Sequence, residues 1–187
     1  MRRERRGSDC RGGLPRLLLD VHPQPGNPLR AWLAPGILNA LQVGLEVEVG
    51  SEFDNVIYPL VAEYFYTPSD VDGNGRVQIL CFDIQDNFAT TGAYVGGYFS
   101  SGDLFNISGS NKAEIFYIDT YPTMYYPKDK PVDVSRAYST LAHEFQHMVN
   151  FNRNYLVEGG DPMPSWINEG LSMAAEHLYS GVLTRRI

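Results

Sequence analysis

Cysteine is scarce in this 187-residue chain: Cys10 and Cys81 are the only two, which excludes a disulfide-built scaffold. Neither is surrounded by a thiol-protease motif, so a cysteine nucleophile is not expected. No apolar run approaches the roughly 20 residues of a membrane helix, and Leu17-Leu18-Leu19 is too short for the core of a secretory signal, so no signal peptide is recognisable. Positive charge is also in short supply. Seven of the fifteen Lys and Arg fall in residues 1–30 with three acids, leaving eight basic against nineteen acidic side chains in the remainder. So acidic a body argues against nucleic-acid binding, which needs clustered Lys and Arg. What the chain does have is 43% hydrophobic and 12% aromatic residues, enough for one packed domain.

The composition divides the chain in two. Residues 1–35 are rich in Arg, Gly and Pro, lack helical or strand periodicity, and are expected to be poorly ordered, with His22 a bystander. Residues 36–187 are expected to form the domain. Over 47–66 the pattern is helical, with Phe53, Val56, Ile57, Leu60, Val61, Tyr64 and Phe65 on one face and Pro59 expected to kink or restart the helix. Two strands are predicted, Val77 to Ile84 and Ala113 to Thr120. Between them lies a long stretch containing Gly92, Gly96, Gly97 and Gly102, which reads as a hairpin or functional loop.

The chemistry is concentrated further on. His143-Glu144-Phe145-Gln146-His147 spells H-E-x-x-H inside a stretch free of Gly and Pro. At about 3.6 residues per turn the two histidines stack on one helix face, and Glu144 is rotated by about 100° from them. Two such imidazoles can share one tetrahedral Zn²⁺, and a carboxylate beside them can act as general base without being a ligand. Ala137, Leu141, Phe145 and Met148 form a separate greasy face, and Asp133 or Ser135 can cap the start.

A third ligand is required. A second helix opens at Pro164-Ser165 and closes near Gly181, with Trp166, Ile167, Gly170, Leu171, Ala174 and Leu178 as its expected buried stripe. Glu169, Met173 and Glu176 share a different face. Glu169 follows His147 by 22 residues, enough chain for a turn and a second packed helix, and is the candidate third ligand. His177 and Tyr179 are weaker candidates for steadying an oxyanion.

STLAHEFQHMVNFN followed by SWINEGLSMAAEHL resembles the hyicolysin family of secreted bacterial metallopeptidases, which are gluzincins. The resemblance extends upstream through EVGSEFDNVIYP, DVDGNGRVQILCFDIQD, GGYFSSGD and AEIFYIDTYP, and so covers residues 47 to 181. It implies an α+β zincin-like catalytic subdomain: a mixed sheet with an active-site helix and a following Glu-bearing helix. It implies His143, His147 and Glu169 as zinc ligands, Glu144 as base, protein or peptide substrates and an extracellular location. It also implies that the strand preceding the motif helix, here Ala113 to Thr120, borders the cleft and pairs with substrate. Gluzincins carry a further subdomain after the Glu-bearing helix, whereas six residues follow Gly181 here, so the cleft's far wall is expected from another chain or the sequence is a fragment.

Asp70, Asp72 and Asn74 form a further candidate site, for Ca²⁺, because DVDGNG reproduces the first half of an EF-hand loop. Cys81 stands where the closing Glu belongs, so another carboxylate such as Asp83 or Asp86 is needed. Three readings follow: a zinc endopeptidase, favoured; a zinc aminopeptidase with the same ligands; and a catalytically inactive, calcium-stabilised binding module.

Overall fold

In the computed structural model, which describes the backbone of residues 17–21 and 30–32 and all of residues 47–127 and 130–181, a helix runs from 47 to Tyr64 and changes register midway. Its buried residues Val49, Phe53, Ile57 and Val61 are spaced by four. An unbroken α-helix would carry such positions round by about 40° per step. The wider π-turn at Phe53–Ile57, where the Tyr58 N–H reaches the Phe53 carbonyl, takes up that drift. Pro59 then falls in the first turn of Tyr58–Tyr64, where a missing N–H is harmless, so the helix restarts as expected. Val56 and Tyr64, assigned to the same apolar face, are instead exposed.

Five strands form one mixed sheet in the order β2-β1-β3-β5-β4. They are β1 Leu17–Val21, β2 Arg30–Trp32, β3 Val77–Phe82, β4 Gly97–Phe99 and β5 Ile115–Asp119. β3 and β5 lie within the two predicted strands and run parallel. β1 and β2 fall in the stretch read as lacking strand periodicity; the rest of residues 1–35 lies outside the described residues. The gene-order neighbour of the motif helix, β5, is interior: β3 flanks it on one side and β4 on the other, and all five of its residues are buried. It therefore offers no free backbone to a substrate, and the strand at the sheet's edge is instead β4, three residues drawn from the Gly-rich stretch.

Against the sheet packs the motif helix, Tyr138–Phe151, entered through a 3-10 turn whose Asp133 side chain accepts from the Ser135 N–H. Ala137, Leu141, Phe145 and Met148 are fully buried, as the periodicity predicts. Phe145 meets Phe53 edge-on at 4.9 Å and stacks on Tyr58 at 5.3 Å, which joins the first helix to the motif helix through the core. Each such buried ring stabilises by roughly 1.5–3 kcal/mol relative to exposure. A second helix, Ser165–Ser180, lies along the motif helix. Its buried residues are Ser172, Ala175 and Glu176, not the predicted stripe, and Trp166 is 76% exposed. The polar face turns inward because the imidazoles of the motif helix need partners there. Among the described residues no helix is long and apolar enough to cross a membrane.

Gly97 sets how closely β4 approaches the motif helix. A Cβ there would lie 2.7 Å from the Tyr117 carbonyl oxygen and 3.0 Å from both Glu144 Cγ and Thr140 Cγ2, whereas one at Gly96 would meet nothing closer than 3.6 Å. Gly97→Ala is therefore expected to destabilise by about 1–3 kcal/mol. Gly96→Ala should stay within about 0.5 kcal/mol, the range of an uncrowded surface change. Denaturant midpoints of the two variants check this directly.

Candidate metal centre

The motif helix carries His143 and His147 one turn apart, and the Glu-bearing helix brings Glu169 onto the same point. What fixes the two rings is the other nitrogen of each. Ser172 Oγ gives its single proton to Gln146 Oε1 at 2.6 Å, so it accepts from His147 Nδ1 at 2.9 Å. Glu176 Oε1 lies 2.5 Å from His143 Nδ1 and as a carboxylate also accepts. Both imidazoles are thus held with the proton on Nδ1 and the Nε2 lone pair turned inward. Burial, and then the neighbouring His143, lower the pKa of His147, favouring the neutral ring that a metal ligand must be.

The two Nε2 atoms stand 3.1 Å apart, with Glu169 Oε2 at 3.4 Å from His143 Nε2 and Oε1 at 3.5 Å from His147 Nε2. Three lone-pair donors converging this closely repel one another unless a cation lies between them. Ligands about 2.0–2.1 Å from a tetrahedral zinc ion are separated by about 3.3 Å, the spacing seen here. The donor set therefore fits one Zn²⁺. The group borders solvent on the side of Glu169, whose side chain is 52% exposed.

Glu144, one residue on from His143, is buried, with its Cγ close against Gly97 of β4. Burial pushes its carboxyl up to about 7, reinforced by the charges of Glu169 and Glu176 and opposed by His143 and the Phe99 N–H. Beside His147 a cavity opens between Phe99, Phe151 and Met163.

Sequence reasoning missed the roles of Glu176, Ser172 and Gln146. The one available signal was that Glu176 shares the helix face of Glu169, two turns on. His177 and Tyr179 are not brought to the centre. His177 Nδ1 is 2.7 Å from the Gly181 carbonyl, and the Tyr179 hydroxyl donates to Glu52. Cys81 is buried in β3, its thiol pushed up to about 12 by desolvation and so unreactive, while Cys10 lies outside the described residues. At the second candidate site Asp70 and Asp72 come together with Glu114. Asn74 instead bonds Asp72 and the Arg76 N–H, and Asp86 holds the N–H groups of Phe88 and Val95.

No protein-family model matches the chain. It is similar to the neutral metalloprotease ShpI of Staphylococcus hyicus, with 48% identity over 155 residues that cover 82% of this chain and 34% of that protein. The chain spans about a third of the length of that relative.

Because Glu176 fixes the tautomer and aim of His143, Glu176→Gln should weaken zinc binding by about 10- to 100-fold while leaving the fold intact. Competition with a chromogenic chelator measures that affinity, and circular dichroism checks the fold.

Proposed function

The chain belongs to the neutral metalloprotease family of ShpI, and from that premise we propose that it forms the zinc-binding core of a metalloendopeptidase. The observation that carries this reading is the convergence of His143 Nε2, His147 Nε2 and Glu169 at tetrahedral spacings, with both Nδ1 protons committed elsewhere. These three side chains would hold one zinc ion, which when bound supplies Lewis acidity toward a water and the scissile carbonyl.

Glu144 takes a proton from the attacking water and delivers it to the departing nitrogen. A carboxyl displaced toward neutrality is suited to both transfers, since it neither holds the proton too tightly nor releases it too readily. Close packing of its Cγ against Gly97 ties the base to the edge strand. On the outer edge of β4, residues Gly97–Phe99 would pair with the backbone of an extended peptide, in place of the Ala113 to Thr120 strand to which the resemblance gave that role, and a substrate side chain would enter the cavity by Phe151 and Met163.

An endopeptidase is favoured over an aminopeptidase because the carboxylates of the centre are already committed. Glu144 lies against Phe99, Glu169 faces the histidines and Glu176 holds His143, which leaves none of the three to grip a free amino terminus. An extracellular location and residues 36–187 as the catalytic unit belong to the same proposal.

The test is hydrolysis of an amino-terminally blocked peptide, abolished by a chelator and restored by zinc. Glu144→Gln should keep its zinc and lose activity by about 10²- to 10⁴-fold, since an amide cannot accept the proton. Turnover near that of the wild-type chain in this variant would assign the base elsewhere.

A further inference from the structure

Glu114, just ahead of β5, is an anomaly that the zinc centre does not explain. Its side chain is fully buried. Oε1 accepts the Ser69 hydroxyl at 2.7 Å and the Val71 N–H at 2.8 Å, while Oε2 is also buried and has no hydrogen-bond partner. A buried carboxylate oxygen left unmatched is strongly unfavourable unless a cation or a proton meets it. Two more carboxylates gather at the same place: one oxygen each of Asp70, Asp72 and Glu114 lie within 4.8 Å of one another. Three such groups, two of them on an exposed loop, repel one another unless positive charge lies between.

We infer that Asp70, Asp72 and Glu114 form a calcium site that pins the loop before β3 to the start of β5. The donor set is oxygen only, with no nitrogen or sulfur, which selects a hard cation. Coordination then discriminates: Mg²⁺ demands near-ideal octahedral geometry at about 2.1 Å, whereas Ca²⁺ accepts the flexible coordination that carboxylates from two separate segments can supply. Asp70 and Asp72 are exposed, so water can complete the six to eight ligands that Ca²⁺ takes.

The loop already holds these carboxylates in place. Asp70 Oδ1 accepts the Gly75 N–H and Asp72 Oδ1 the Asn74 N–H, and each carboxylate has lone pairs remaining for an ion. Asn74, assigned as a ligand from sequence spacing, acts as a brace here: its Nδ2 bonds Asp72 Oδ2 and its Oδ1 takes the Arg76 N–H. The third carboxylate comes from 44 residues further along the chain, so the ion would join two segments rather than close one loop. The group shares no residue with His143, His147 and Glu169, and the inference stands independently of the zinc assignment.

The experiment is calorimetric titration of the zinc-loaded full chain with CaCl₂, paired with thermal unfolding and zinc analysis. One Ca²⁺ per chain should bind. At a hundredfold excess over Kd the unfolding temperature should rise by roughly 5–10 °C. Asp72→Asn, an exposed change that leaves the fold intact, should weaken binding at least tenfold, and Glu114→Gln should abolish it, with zinc content unchanged in both. No binding heat and no temperature rise at millimolar Ca²⁺ would overturn the site. So would a response in Asp72→Asn equal to that of the wild-type chain, or an equal response to MgCl₂.

Discussion

Two imidazole nitrogens held 3.1 Å apart, each with its lone pair aimed at the other and at a carboxylate, constrain much of the molecule around them. Left alone the rings would turn or protonate. They are prevented by a buried carboxylate, Glu176, and by a hydroxyl, Ser172, whose own proton is spoken for by Gln146. That requirement explains the orientation of the Glu-bearing helix. It turns Ser172 and Glu176 inward and leaves Trp166 and Leu178 in solvent, the reverse of what apolarity alone would choose. Polar satisfaction outweighs burial of the greasy stripe because unmatched donors and acceptors in the interior are expensive.

The sheet is coupled to the same centre through one residue that has no side chain. Gly97 allows β4 to lie against Glu144 and Thr140 of the motif helix. On the other face of the motif helix, Phe145 packs with Phe53, Phe116 and Tyr58. The helix is therefore gripped on both sides, and its functional groups have little freedom to move. Such rigidity is what preorganised chemistry needs.

Much of this was legible in the sequence because it is local. The apolar period of the motif helix, the one-turn separation of His143 and His147, and the runs that become β3 and β5 are all short-range patterns. Glu169 was reachable by counting residues for a second packed helix. What escaped depends on tertiary placement. Nothing local tells that β5 is interior and β4 the edge, since strand order follows from pairing between distant segments. Glu114 could not be linked to Asp70 for the same reason, and spacing favoured Asn74. Glu176 lay on the right face, but nothing local told that it would meet His143 across the two helices.

The central claim is that these three side chains create one zinc site. Elemental analysis of the purified chain, beside the His147→Ala variant, tests it most directly. One zinc per wild-type chain, lost in the variant while the helical signal persists, is the result expected. Stoichiometric zinc retained without His147 would contradict the assignment and place the metal elsewhere.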